Sequence, residues 1–317
     1  MPNPVLTRAI DALAVRRDLS EDDASAVLGE IMDGNASEVQ IAAFLIGLRA
    51  KGETEQELAG LARTMREHAE EVSTGRDDLL DTAGTGGGRR TFNVSTTAAL
   101  VAAAAGCRVA KHGNRSATSL SGSADLLEAL GAQIDLPPAG VVTCIEEIGF
   151  GFMFAPVHHP ATRFVVPVRK ELAVRTIFNF LGPLTNPAGA SRQLIGVSDE
   201  AFVETVAGAV QRLGTRRALI VSSADGLDEM STWAPTHVVE VDPDGITRFT
   251  VDATDLGLAV ADPTEVAGGT PQDNAQIARE ILGGEHGAPR DLVALNAGAA
   301  IYAGAGADSL EAGVRAA

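Results

Sequence analysis

Apolar residues in the first 72 positions of the chain recur every three to four residues, the spacing that places side chains on one face of a helix. The repeat is clearest in two runs on either side of Gly34: Val27, Leu28, Ile31 and Met32, then Val39, Ala42, Ala43 and Ile46. Three pairs have the spacing of helix N-terminal signals: Ser20 with Asp23, Asn35 with Glu38, and Thr54 with Glu57. The pattern predicts a small all-helical domain over residues 1–72.

After residue 73 the pattern changes to short β-like runs that alternate with helices. Helices are predicted over 96–105 and 123–130, and strands over 108–110, 193–197, 218–222, 237–241 and 248–251. This alternation favours an α/β fold with a mainly parallel central sheet. Two proline-rich stretches, 156–167 and 182–187, are expected to connect layers or to act as a hinge.

Composition restricts the kind of partner. The chain has 317 residues, a formal net charge of −17 and 4% aromatic residues. An acidic chain with few aromatic side chains argues against nucleic acid and against an anionic membrane as partners. Any anion-binding site would therefore have to be local, made of backbone N–H groups and a few cations.

Two further features indicate the compartment. The two cysteines, Cys107 and Cys144, form no metal-binding pattern, which is typical of a reducing environment. The N-terminus has no apolar run of signal-peptide length, and no stretch has the length and hydrophobicity of a transmembrane helix. We therefore expect a cytoplasmic protein without a membrane span.

Residues 81–96, DTAGTGGGRRTFNVST, form a glycine-rich stretch. Glycines leave backbone N–H groups free to converge on an anion, and Asn93, Ser95 or Thr96 could cap a following helix whose N-terminus favours phosphate. The spacing fits neither a Walker A loop nor G-x-G-x-x-G, because arginine stands at position 89. Taken alone, such a turn more often only connects two elements.

Two more stretches add charged and polar groups. Residues 111–125, KHGNRSATSLSGSAD, combine two cations, an amide and several hydroxyls at the end of a predicted strand, where open α/β sheets bind ligands. Residues 225–229, DGLDE, place adjacent carboxylates after an apolar strand, which suits Mg²⁺ bridged to a phosphate. The alternatives are a polar surface loop for the first stretch and an acidic helix N-terminus for the second.

Seven motifs in order along the chain resemble those of the anthranilate phosphoribosyltransferase family: GTGG, NVST, KHGNRS, SGSAD, FAP…HP, VRKEL…RTIFN…LGPLTNP and DGLDE. The resemblance runs from about residue 5 to the end of the chain. It implies a small helical domain plus a larger α/β domain with a mainly parallel sheet, as in nucleoside phosphorylases and phosphoribosyltransferases. Residues 166–190 would return to the helical domain, which leaves 73–165 and 191–317 for the large domain.

The same resemblance implies the reaction. The phosphoribosyl group of 5-phosphoribosyl 1-pyrophosphate would be transferred to the amine of anthranilate in tryptophan biosynthesis, with Mg²⁺ as cofactor, two ions per subunit. The protein would act as a homodimer that binds only small-molecule substrates. Because an aryl amine is already neutral near pH 7, no acid–base residue is expected.

The resemblance also assigns the site residues by position. Donor-binding residues would be Gly84, Gly87, Gly88, Thr91, Asn93, Val94, Ser95, Thr96, Lys111, His112, Gly113, Asn114, Arg115, Ser116, Ala117, Thr118, Ser119 and Ser123. Anthranilate would meet Gly84, Asn114 and Arg169, with Arg169 facing its carboxylate. Ser95, Asp228 and Glu229 would bind the metal.

One segment departs from the family pattern, which usually reads GTGGDG and two further residues before Thr-Phe-Asn. Here Gly88, Arg89 and Arg90 stand in that place, so the loop is one residue shorter, lacks the aspartate and gains two positive charges. Our hypothesis is that Arg89 or Arg90 contacts pyrophosphate and lowers the Mg²⁺ requirement.

Two alternative functions stay open at the level of sequence. A pyrimidine nucleoside phosphorylase would share the architecture, but its KHSTGG signature is absent. A repurposed homologue that binds a nucleotide or nucleic acid is supported only by the shortened loop, and the acidic composition argues against it.

Overall fold

A computed structural model describes residues 1–116 and 120–317. The helices within them are α1 (Pro4–Ala14), α2 (Glu21–Met32), α3 (Glu38–Lys51), α4 (Glu55–Glu67), α5 (Val94–Ala104), α6 (Ser123–Ala129), α7 (Pro138–Ile148), α8 (Ala155–His158), α9 (Val166–Leu172), α10 (Phe178–Leu184), α11 (Val203–Arg212), α12 (Pro271–Leu282), α13 (Ala288–Ala303) and α14 (Leu310–Ala316). The strands are β1 (Leu79–Gly84), β2 (Arg108–Gly113), β3 (Phe150–Phe154), β4 (Arg192–Gly196), β5 (Arg217–Ser223), β6 (Thr236–Asp242) and β7 (Gly245–Val251). None of the helices in this part of the chain is long and apolar enough to cross a membrane.

The first four helices begin at polar caps. Ser20 accepts the Asp23 N–H at 3.1 Å, and Thr54 forms a reciprocal capping box with Glu57. The prediction at Asn35 is wrong, because α3 begins two residues later and its cap is Ser37. Such caps satisfy N–H groups that the helix itself leaves without partners.

Helices from two parts of the chain share one apolar core. Buried side chains of α1 to α4 pack with Val168 of α9 and with Phe178 and Leu181 of α10. Helix α4 also contacts α2 closely at Gly60, where a Cβ atom would collide with the Glu21 carbonyl. The segment after β3 therefore returns to the helical layer.

The seven strands form one sheet in the order β3-β2-β1-β4-β5-β6-β7. The first five strands in this order run parallel, whereas β6 and β7 form an antiparallel hairpin at one edge. The hairpin turns at Pro243 and Asp244, where Asp242 accepts the Asp244 N–H at 2.8 Å. The prediction of a mainly parallel sheet is confirmed, although β3 was not predicted.

Strand order reverses on either side of β1, since the chain leaves β1 for β2 and β3 and then returns to β4 on the opposite side. Open α/β sheets bind ligands at such a reversal, beyond the carboxyl ends of the strands. The stretches at 81–96, 111–125 and 225–229 follow or overlap the ends of β1, β2 and β5. The topology thus brings all three to one edge of the sheet.

Four consecutive backbone carbonyls in the stretch at 182–187 accept side-chain hydrogen bonds, each from a different part of the fold. The donors are His112 Nδ1 to Gly182 (3.2 Å), Gln193 Nε2 to Pro183 (2.7 Å), Arg66 Nε to Leu184 (2.7 Å) and His159 Nε2 to Thr185 (3.0 Å). Because the donors come from both layers, this stretch connects them.

Candidate active site

The glycine loop, residues 84–88, lies directly against Asp228. The Gly86 N–H donates to Asp228 Oδ2 at 2.8 Å. A Cβ atom on Gly84 would lie 2.6 Å from Asp228 Oδ2, and one on Gly88 would lie 3.0 Å from Asp228 Oδ1. Only residues without a side chain permit this approach, which explains why glycines occupy these positions.

Asp228 and Glu229 form a pair of closely enclosed carboxylates. Burial raises the pKa of both, and the neighbouring Asp228 charge raises that of Glu229 further. Glu229 also accepts the Ser95 N–H at the start of α5, while Thr91 Oγ1 lies 3.4 Å from its Oε2. The helix N-terminus therefore offsets part of the cost of a second negative charge.

A cavity of about 10 Å³ lies between Ser95, Asp228 and Glu229, bordered by the ends of the central strands. This volume is about that of one water-sized probe. No group of three or more His, Cys, Asp or Glu side chains in residues 1–116 and 120–317 could hold a metal alone. Two carboxylates and a hydroxyl fit Mg²⁺, which usually keeps several waters and completes its coordination with substrate phosphates.

Lys111 lies inside the sheet rather than at its surface. Its side chain is 1% exposed, and Nζ donates to the Thr82 carbonyl and to Thr82 Oγ1 at 3.1 Å. Burial lowers the pKa of Lys111 to about 8, against the opposing influence of Asp81 and Glu229. The predicted cation is therefore present beneath the site, within electrostatic range of the Glu229 carboxylate.

The predicted donor residues from Gly113 to Ser116 lie against α6 and its first turn. The Asn114 carbonyl accepts from the Ala124 N–H and from Ser123 Oγ, both at 3.2 Å. Arg115 is engaged elsewhere, since its Nη1 lies 2.7 Å from Asp125 and 2.8 Å from Glu128. Gly113 lies against Ser123, and the Ser116 N–H donates to Asp125. Ala117, Thr118 and Ser119 lie outside the described residues.

Asn93 has a different role from the expected side-chain cap. Its backbone begins α5, but its side chain makes no capping hydrogen bond. Instead, its amide donates to the Ser121 carbonyl at 3.1 Å, and Oδ1 accepts from Ser121 Oγ at 2.9 Å and from Asn274 Nδ2 at 2.8 Å. Asn93 thus ties the glycine-rich stretch to the 111–125 stretch, with Val94 and Thr96 buried behind it.

Arg169 lies on α9 with its guanidinium 5.3 Å from the centre of the Phe178 ring. Burial lowers its pKa. Its side chain has no hydrogen bond or ion pair to the part of the chain that the structure describes. A partly buried cation without a carboxylate partner is suited to an anionic ligand.

Two arginines with no firm assignment from the sequence lie at the glycine loop, Arg175 in contact with it and Arg89 directly after it. Arg175 donates to the Gly86 carbonyl and, at 2.8 Å, to Ser198 Oγ. Arg89 Nε lies 3.0 Å from Asp225 Oδ2. Arg175 belongs to the RTIFN motif, but nothing in the sequence indicates that this motif meets the loop after β1.

Similarity to known proteins agrees with this geometry. Residues 76–317 match the α/β domain of a glycosyl transferase family, and residues 7–69 match the helical bundle domain of a glycosyl transferase family. The fold and the site therefore define the chain as a glycosyl transferase with a helical bundle domain and an α/β domain.

Relatives and solved structures identify the family more closely. The chain is 49% identical over 308 residues to an anthranilate phosphoribosyltransferase of Moorella thermoacetica. The aligned region covers 97% of this chain and 91% of the relative. The relative from Natronomonas pharaonis is 52% identical over 302 residues, 95% of this chain and 90% of that protein. The chain belongs to the anthranilate phosphoribosyltransferase family.

Two solved structures match over nearly the whole chain. The anthranilate phosphoribosyltransferase of Thermus thermophilus is 46% identical with a TM-score of 0.92, covering 97% of this chain and 92% of that one. The enzyme of Saccharomyces cerevisiae in complex with PRPP and Mg is 27% identical with a TM-score of 0.89, covering 98% and 92%.

Proposed function

We propose that the chain transfers the phosphoribosyl group of 5-phosphoribosyl 1-pyrophosphate to the amine of anthranilate, giving N-(5-phosphoribosyl)anthranilate and pyrophosphate in tryptophan biosynthesis. The observation that carries the proposal is the contact of the glycine loop with Asp228 at 2.8 Å, at the point where strand order reverses. This contact places a glycine-rich loop beside a pair of carboxylates. The loop N–H groups can bind the phosphate oxygens of a pyrophosphate, and the carboxylates can bind its Mg²⁺.

The donor would lie against the glycine loop, the start of α5 and residues 111–116 with Ser123. N–H groups at a helix N-terminus and in a glycine-rich turn favour phosphate oxygens. The donor carries several negative charges, and the net charge of the chain is −17. Local cations such as Lys111 and bound Mg²⁺ are therefore needed to make binding favourable.

Ser95, Asp228 and Glu229 would hold Mg²⁺, with two ions per subunit in the complete complex. Bound Mg²⁺ would stabilise the negative charge of the departing pyrophosphate. The chain's own contribution is to keep Asp228 and Glu229 enclosed and oriented, through the N–H groups of Gly86 and Ser95.

Anthranilate would meet Gly84, Asn114 and Arg169, with its carboxylate against the Arg169 guanidinium. The support is the partial burial of Arg169, which lowers its pKa and leaves a cation in need of a counter-charge. Since an aryl amine needs no deprotonation before attack, positioning and charge stabilisation are the catalytic contributions.

The test follows anthranilate fluorescence with the donor and Mg²⁺, with uridine and phosphate as a parallel assay. We expect turnover of anthranilate, and Arg169→Gln should raise the KM for anthranilate more than that for the donor. Arg163→Gln is the matched control, since Arg163 stacks on Phe164 at 4.5 Å and lies outside the proposed site. Phosphorolysis of uridine without anthranilate turnover would instead indicate a nucleoside phosphorylase.

A homodimer through the helical layer is also proposed. The outer face of α3 carries an exposed apolar stripe of Val39, Ala43, Ile46 and Ala50, with Val39 79% exposed. A second copy of the chain is the proposed occupant. Val39→Glu with Ile46→Glu should halve the mass measured by light scattering, whereas Ile148→Glu on α7, 69% exposed, should not.

We also propose a domain division and a cellular location. The domain division is proposed as 1–72 with 166–190, against 73–165 with 191–317. A cytoplasmic location is proposed from the two free cysteines, of which Cys107 is buried and therefore protected. Fractionation of the native cell would test the location.

A further inference from the structure

The backbone of Gly86 makes hydrogen bonds on both sides of its Cα atom. Its N–H donates to Asp228 Oδ2 at 2.8 Å, and its carbonyl accepts from Ser198 Oγ at 3.0 Å and from Arg175 Nη2. Gly86 has φ +67°, a left-handed conformation that glycine adopts without strain. One residue thus bridges a proposed metal carboxylate and an arginine from a distant part of the sequence.

Arg175 reaches the Gly86 carbonyl from the helical layer. It lies between α9 and α10, and its own carbonyl accepts from Arg49 Nη1 of α3 at 2.7 Å. Its guanidinium also donates to Ser198 Oγ at 2.8 Å, just beyond β4. A continuous set of hydrogen bonds therefore runs from α3 through Arg175 to the glycine loop.

The loop is shaped around this guanidinium. Gly87 has φ +81°, and a Cβ atom there would collide with Arg175 Nη2. Arg175 is therefore linked to Asp228 through the backbone of Gly86.

We infer that Arg175 is a positioning residue of the donor site, which holds the Gly86 backbone so that the loop N–H groups and Asp228 keep one geometry towards the donor. What the loop binds rests on the proposed function. The positioning itself is a property of the chain's own contacts and can be tested without any ligand.

The first experiment is amide hydrogen exchange of the ligand-free protein, read on peptides that cover residues 84–91. Arg175→Gln should speed exchange there by about tenfold or more, because a charge-assisted hydrogen bond is lost. Arg175→Lys should be intermediate, since it keeps the charge but not the two-point contact. Arg216→Gln is the matched control, because Arg216 is an exposed arginine that pairs with Asp77 at 2.7 Å.

The second experiment measures donor binding with Mg²⁺ and without anthranilate, by calorimetry. Arg175→Gln should raise the donor Kd about tenfold or more while leaving the KM for anthranilate nearly unchanged. Arg175→Lys should recover part of this loss, and Arg216→Gln should match the parent.

The outcomes separate the inference from the proposed function. If the parent fails to bind the donor, the proposed function is wrong, and the exchange experiment still decides on Arg175. If Arg175→Gln exchanges like the parent at 84–91, or binds the donor within about twofold of it, the inference is overturned. Faster exchange throughout the chain with a lower unfolding temperature would assign Arg175 a merely structural role and would also overturn it.

Discussion

Arg89 Nε lies 3.0 Å from Asp225 Oδ2 and thereby joins the shortened glycine loop to the loop that carries Asp228 and Glu229. The same nitrogen lies 3.2 Å from the Asp225 carbonyl. Asp225 Oδ2 in turn accepts from Trp233 Nε1 at 2.5 Å, and Trp233 is the single tryptophan of the chain. Arg89 thus connects the residues after the glycine loop to the loop that carries Asp228. Its partner Asp225 also contacts Trp233, so a change at Arg89 can be detected by tryptophan fluorescence.

The two arginines of this loop should behave differently. Arg89→Ala should raise the Mg²⁺ concentration needed for a given donor affinity by up to about fivefold, because an exposed ion pair contributes up to about 1 kcal/mol. It should also change the emission of Trp233. Arg90 makes no ion pair within residues 1–116 and 120–317, so Arg90→Ala is the matched control. Overlapping Mg²⁺ titrations for both variants and the parent would show that neither arginine matters for the donor.

Glu229, a proposed metal ligand, should lower the stability of the metal-free fold at alkaline pH. Burial and the Asp228 charge raise its pKa, so the folded state holds this proton more tightly than the unfolded state. Stability is therefore lost as pH rises above the ordinary carboxyl range. Glu229→Gln in EDTA should raise the unfolding temperature by a few degrees at pH 8 and by less at pH 5, and should abolish Mg²⁺-dependent donor binding.

The control for this variant is Glu147→Gln, a change at an exposed carboxylate of α7. Differential scanning fluorimetry of all three proteins at both pH values gives the comparison. An unfolding temperature of Glu229→Gln below that of the parent at pH 8 would mean that the Ser95 and Thr91 contacts outweigh the repulsion.

Local signals in the sequence predicted most of the fold. The Thr54–Glu57 spacing corresponds to an observed capping box, and the apolar runs near 193–197 and 218–222 correspond to β4 and β5. The misses have local causes. The spacing of Asn35 and Glu38 predicts a cap at Asn35, but Ser37 directly precedes the helix and caps it. Strand β3 is a five-residue aromatic run, FGFMF, without alternation of polar residues, so period-two patterning could not predict it.

The sequence predicts the parts of the site that lie in recognisable motifs, but not the contacts that depend on packing between distant elements. The glycine loop and the Asp228–Glu229 pair contact one another as strand order requires. The role of Arg175 could not be predicted, because it depends on how α9 and α10 pack against α3. Arg115 was expected to face the donor, yet it pairs with Asp125 and Glu128, both on the helix that follows its own loop.

Two helical glycines should respond in opposite ways to alanine. A Cβ atom added to Gly29 in α2 would meet nothing within 4 Å apart from the backbone of its own helix and its chain neighbours, so Gly29→Ala should raise the free energy of unfolding by about 0.5–1 kcal/mol through helix propensity. Gly60 in α4 lies against the Glu21 carbonyl, so Gly60→Ala should lower it by about 1–3 kcal/mol through overpacking. Urea unfolding of both variants is the measurement, and equal effects would contradict the close contact of α2 with α4.

The buried histidines should make the fold sensitive to acid. Burial lowers the pKa of His159 to about 4, and His112, whose ring centre lies 4.9 Å away, has its pKa lowered to about 3. The unfolded state therefore binds protons first, so stability is complete above about pH 6.5 and is lost as pH falls towards 4. His159 alone should cost about 2 kcal/mol of the free energy of unfolding at pH 5.

His159→Gln tests this directly, because glutamine can keep a donor towards the Thr185 carbonyl but cannot take up a proton. The variant should lose less stability than the parent between pH 7.5 and pH 5 when urea unfolding is measured at each pH. His286→Gln, at an exposed position, should follow the parent curve. Parallel curves for His159→Gln and the parent would mean that the imidazole escapes burial on protonation, for instance by local opening at the Thr185 contact, because only a charge kept inside the fold incurs the desolvation cost.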